Sequence, residues 1–108
     1  GWVPEMVRRL DWVSKIYSRG GESVRFERTP SQQIREQLAF TPFPNEDVSR
    51  LIDDSNEDLF LFSSDYPHVE GGRNPIGKFE SYLSSSPDQD KDKFYSENFL
   101  RLWPSAAA

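Results

Sequence analysis

The sequence predicts an α/β architecture in which two short parallel strands, residues 37–42 and 59–64, alternate with amphipathic helices. Two observations carry that expectation. Leu38-Ala39-Phe40-Thr41 and Leu59-Phe60-Leu61-Phe62-Ser63 are brief apolar runs bounded by turn residues, the signature of strands buried on both faces. Between them lies a short helical pattern, and the order strand, helix, strand makes a βαβ unit with a parallel pair.

Taken in order, Val3, Met6, Val7, Leu10, Val13, Ile16 and Tyr17 recur at three- and four-residue intervals. This predicts a helix over 4–18 that opens at Pro4, stops at Gly20-Gly21 and needs a surface to cover. Residues 20–31 are polar and charged and are expected to be a loop, with Pro30-Ser31 opening a short helical turn. The first strand is stopped by Pro42 and Pro44, because proline cannot donate to a ladder. Asn45 followed by Glu46 and Asp47 predicts a helix over 45–55, with an Asx cap and acidic residues at the positive end of the dipole. Its buried face is Val48, Leu51 and Ile52.

After the second strand, Asn74-Pro75 caps a helix over 75–84 with Ile76, Phe79, Tyr82 and Leu83 inward. Ser86-Pro87-Asp88 starts a charged helix over 87–95, and Ser96 a last one over 96–103. The charged run Asp88 to Lys93 is a solvated face. Trp2, Trp12, Phe40, Phe43, Phe60, Phe62, Phe79, Tyr82, Phe94, Tyr95, Phe99 and Trp103 are expected to pack in a core rather than to stack on a ligand. Two strands alone leave both sheet edges unpaired, so another copy or a partner chain is expected to complete the sheet.

Composition narrows the partners. A formal charge of −5 and a pI near 4.8 lack the basic surface that nucleic acid or anionic lipid requires, so neither is an expected partner. Hydrophobic content of 35% and a mean hydropathy of −0.75 are low for a self-sufficient domain, whereas 14% aromatic residues are too many for a disordered one. Without cysteine any metal must take oxygen and imidazole ligands. No apolar stretch approaches the roughly 20 residues of a membrane span, and no secretory leader pattern is present. A soluble, cytoplasmic protein is therefore expected. Gly1 at the start suggests a processed or truncated product, and Ala106-Ala107-Ala108 an unstructured tail.

The point of chemical interest is Ser63-Ser64-Asp65-Tyr66-Pro67-His68-Val69-Glu70-Gly71-Gly72, where the second apolar run ends. In parallel sheets reactive groups sit at the carboxyl ends of strands, which is where Asp65 falls. Asp65 is equally suited to forming a turn before proline. His68 either contacts a substrate, orients Asp65 or is a hydrogen-bonded bystander. Gly71-Gly72 lacks the context of a phosphate loop, and Glu70 and Arg73 are most simply surface charge. No serine sits in a nucleophile elbow.

Ser64-Asp65-Tyr66-Pro67-His68 after an apolar run resembles the last barrel strand of the amidohydrolase-related metal-dependent hydrolases and decarboxylases. Gly1-Trp2-Val3-Pro4 with Arg9-Leu10-Asp11 is similar to the segment after that family's sixth strand. Pro30-Ser31, Arg35 and Gln37 to Phe43 resemble the seventh strand and its approach; Phe94, Asn98, Phe99 and Leu102 resemble the closing helix. The resemblance implies that residues 1–104 are the carboxyl-terminal portion of a (β/α)8 barrel, with 105–108 as a tail. It further implies that Asp65 ligates a divalent metal, zinc being the usual one, and accepts a proton during hydrolysis or decarboxylation of a small organic acid or cyclic substrate. The family's histidine ligands have no counterpart here, since His68 is the single histidine. The chain is thus expected to be inactive alone; the alternative is a truncated, non-catalytic module that self-associates or assembles with a partner chain.

Overall fold

A computed structural model describes residues 1–19 and 26–107. Six α-helices follow one another: α1 Val3–Tyr17, α2 Pro30–Gln37, α3 Val48–Asp53, α4 Pro75–Tyr82, α5 Asp88–Asp92 and α6 Asn98–Leu102. Single 3-10 turns cover Val69–Gly71, Leu83–Ser85 and Pro104–Ala107, and a π-helical turn, Lys93–Glu97, joins α5 to α6.

The α/β expectation is overturned. The chain is 61% helical with 2% strand and has no sheet, so it is not a partial (β/α)8 barrel with parallel strands at 37–42 and 59–64. What remains of the expected pair is one parallel bridge, Phe40 to Phe60, in which Phe40 N–H donates to Leu59 O at 2.8 Å and Leu61 N–H donates to Phe40 O at 3.0 Å. Local competition explains the shortfall. Gln37 still belongs to α2 and Pro42 lacks an N–H, which leaves three residues to pair on the first segment.

On the second segment the backbone groups facing away from Phe40 are taken by helical partners. Phe60 O accepts from Asn98 Nδ2 at 2.7 Å, and Phe62 N–H donates to Phe94 O at 2.8 Å. The π-turn makes the second bond possible. Asn98 N–H reaches back five residues to Lys93 O, so the Phe94 carbonyl is released from its ordinary α-helical partner. Buried main-chain groups need partners, and here helix termini supply them in place of neighbouring strands.

Helix boundaries follow their caps. Thr29 and Gln32 form a reciprocal capping box at α2, and Asp11 Oδ1 accepts from Ser31 N–H at 2.8 Å, tying α1 to α2 through an otherwise orphaned donor. α3 starts at Val48 rather than 45, capped by Asp47 accepting from Arg50 N–H at 3.3 Å. Asn45 lies instead in a turn closed by Glu46 N–H on Phe43 O at 2.9 Å. Asn74 caps α4 through Gly77 N–H at 3.0 Å. The break expected at Ser96 is absent: Ser96 Oγ donates to Asp92 O at 3.1 Å, back-bonding along the run rather than starting a new helix. The stop expected at Gly20-Gly21 lies outside the described residues, as do 20–25 of the expected loop and Ala108 of the tail. Ala106 and Ala107, expected to be unstructured, belong to a 3-10 turn.

The core lies under the 59–62 segment. Val48, Leu59, Phe60, Phe79, Leu83 and Phe94 are at most 1% exposed, and Phe62, Phe79, Phe94 and Tyr95 form a ring cluster with centroids 5.0–6.3 Å apart, mostly edge to face. The expectation that every aromatic packs inside fails. Trp2, Trp12, Phe43, Phe99 and Trp103 remain substantially exposed, as do Leu10 and Ile16 of the α1 stripe. Only Val3 and Pro4 of α1 are buried, because α2 is too short to cover a fifteen-residue helix.

Candidate functional site: the Asp65–His68 loop

Asp65 follows the last paired residues of the second segment and occupies the left-handed region, φ 56°. Among non-glycine residues Asp and Asn are those that tolerate this conformation, their short polar chains bonding locally. Two serines prepare the turn. Ser63 Oγ accepts from Asp65 N–H at 3.3 Å and Ser64 Oγ from Tyr66 N–H at 3.2 Å, a hydroxyl-to-backbone pattern typical of loops. The Tyr66–Pro67 bond is cis, and His68 N–H closes the turn on Asp65 O at 2.8 Å.

That closure brings the imidazole back over the carboxylate, with His68 Nδ1 at 3.1 Å from Asp65 Oδ1. The carboxylate side chain is 27% exposed and the imidazole 72%, so Asp65 is partly sheltered while His68 faces water. Below them Gly71 is buried, and a Cβ there would collide with Ser64 O and crowd Asp65. Glycine is required because the 3-10 turn passes directly beneath the loop. The structure therefore unites Asp65 with His68; Tyr66 and Val69 are almost fully exposed and touch neither partner in a hydrogen bond among the described residues.

Whether the loop suits a metal is a matter of ligand number. A catalytic zinc takes three protein ligands, and the pair offers two, already bonded to each other. No group of three or more His, Cys, Asp or Glu side chains that could hold a metal occurs among the described residues. The described residues do not fit a catalytic metal by themselves.

A second polar cluster escaped the sequence reading. Lys93 Nζ donates to Asp58 Oδ1 at 2.7 Å and Glu57 Oε1 at 3.0 Å, Arg35 bonds Asp58 Oδ2 at 2.9 Å, and Arg101 donates to the carbonyls of Arg35, Glu36 and Asp58 at 2.9–3.3 Å. Arg101 thereby caps the end of α2, where unpaired carbonyls attract cations. These groups border a concavity of about 530 Å³ lined by Gln32, Arg35, Glu36, Asp58 and Arg101. Partial burial pushes the Asp58 carboxyl up, but hydrogen bonds from Lys93 and then Arg35 outweigh it and hold Asp58 below its ordinary value. Glu57 is lowered by its own backbone N–H and by Lys93, and Lys93 is raised, chiefly by Asp58. The partners are 23 to 66 residues apart, so no local pattern announces them. Every strong donor is engaged by protein, which makes the cluster a clasp among α2, the 57–58 loop and the carboxyl-terminal helices.

No family model, no curated protein and no solved structure matches this chain.

Proposed function

We propose that the chain contributes a proton-accepting carboxylate, Asp65, to a site for hydrolysis or decarboxylation of a small organic acid or cyclic substrate, and that it does not catalyse alone. The observation that carries this reading is the Asp65–His68 contact of 3.1 Å on a loop fixed by two serine hydroxyls and a buried glycine. A general base needs a rigid seat and a partner that sets its orientation. The sequence resemblance to amidohydrolase-related enzymes supplies the reaction class. Any metal in such a site would take most of its ligands from residues other than these, with Asp65 as one of them.

The reading is tested on protein purified from its native source with whatever polypeptide accompanies it. Bound divalent metal and hydrolase or decarboxylase turnover should both fall at least about a hundredfold in Asp65→Asn, the usual weight of a positioned acid–base group. Turnover or metal content unchanged by that substitution refutes it.

A second reading, an assembling module without catalysis, is favoured by shape. The Cα radius of gyration is 16.1 Å with extents of 53 × 32 × 28 Å, against about 13 Å for a compact chain of this length. Together with the exposed tryptophans, this leaves apolar surface for another polypeptide to cover.

A further inference from the structure

Ala39, Phe40 and Thr41 form a short extended edge. Phe40 turns both its N–H and its C=O toward Leu59 and Leu61, and in an extended chain successive residues point these groups to opposite sides. The N–H and C=O of Ala39 and Thr41 therefore face outward, and among the described residues they have no hydrogen-bond partner. Beside them is a concavity of about 280 Å³ whose lining includes Trp2, Ala39, Phe40, Thr41, Pro42 and Phe60.

We infer that this edge is the contact surface for a second copy of the chain, paired antiparallel about a two-fold axis through Phe40. The register is self-complementary. With Phe40 opposite its counterpart, Ala39 faces the partner copy's position 41 and Thr41 faces its position 39, so each pair exchanges two N–H to O=C bonds. Four bonds result, and all the outward groups of both copies are used. Phe40 occupies the non-hydrogen-bonded position, where opposed Cα atoms are about 4.5 Å apart and side chains meet most closely. An aromatic pair there is favourable across strands.

The surroundings fit the same occupant. Trp2 already stands edge-on to Phe40 at 5.7 Å, and Phe60 lies on its other side at 6.5 Å, so the two cores become continuous through the paired rings. Trp2 and Phe43, 63% and 50% exposed in the single chain, flank the axis and would be covered. Pro42 ends the edge without a competing donor, which restricts the pairing to one register. Isologous closure of this kind stops at two copies.

Sedimentation velocity across a wide concentration range, combined with amide hydrogen exchange, tests the inference. The expected result is a monomer–dimer equilibrium in which the Ala39 and Thr41 amides become protected only as the dimer forms. Ala39→Pro removes one donor per copy that has no intramolecular partner, and should weaken dimerisation about tenfold or more, as two lost bonds imply. A chain that stays monomeric, amides at 39 and 41 already protected in the monomer, a dimer that leaves them unprotected, or an Ala39→Pro dimer as tight as the original would each overturn it. Should Ala39→Pro not fold, the exchange data on the unaltered chain decide.

Discussion

Asn98 shows how much one buried side chain does in this molecule. It is 2% exposed, and its Nδ2 donates to Glu57 O at 2.8 Å and Phe60 O at 2.7 Å, binding the carboxyl-terminal helix to the segment that leads into Asp65. Removing the amide leaves two buried carbonyls without that donor, at about 1–3 kcal/mol for each unsatisfied group. Asn98→Ala should therefore lower unfolding free energy by about 2–4 kcal/mol, read as a reduced urea midpoint with unchanged slope. A loss below about 0.5 kcal/mol would mean that water replaces the amide. Asp65 differs in kind. Its left-handed φ of 56° and its bond to His68 concern the aim of one carboxylate, so Asp65→Asn is expected to tell on turnover far more than on folding.

Among elements, the joint between the 57–62 segment and the last helical run is held by charge as well as packing. Asp58 and Glu57 have lowered pKa values, and Lys93 a raised one. A carboxylate depressed on folding contributes stability that is complete above its unfolded value and lost as pH falls through the folded one. For Asp58 and Glu57 the unfolded values are 3.8 and 4.5. The ammonium contributes below its unfolded 10.5 and loses the contribution as pH rises through the folded value above that. Thermal melts should accordingly show a plateau between about pH 5 and 10 from this clasp, with an acid shoulder below it. Asp58→Asn should flatten the acid shoulder; an unaltered shoulder would place acid sensitivity elsewhere. The π-turn between α5 and α6 belongs to the same joint, since it frees the Phe94 carbonyl for Phe62.

For the whole molecule, shape is the distinguishing property. Small-angle scattering of dilute chain should give a radius of gyration close to the 16.1 Å of the Cα trace, rising with concentration if copies pair. A concentration-independent value near 13 Å, the compact expectation, would show that α1 folds back onto the core. No helix among the described residues is long and apolar enough to cross a membrane.

The division between sequence and tertiary structure follows from range. Residues 30–37, 48–53 and 75–82 are helical because their caps and apolar spacing act within one turn, and those signals are present in the bare chain. The Ser64-Asp65-Tyr66-Pro67-His68 turn was legible for the same reason: serine hydroxyls, Asp and Pro govern only their immediate neighbours. Whether Leu38–Thr41 and Leu59–Ser63 become strands was not decidable locally, because a strand exists only through what pairs with it. Tertiary structure gave the outer groups of Phe60 and Phe62 to Asn98 and Phe94, reduced the expected sheet to one bridge, and assembled the Arg35, Asp58, Lys93 and Arg101 clasp. Local chemistry set where the chain turns and coils, while hydrogen-bond competition between distant segments determined what it became there.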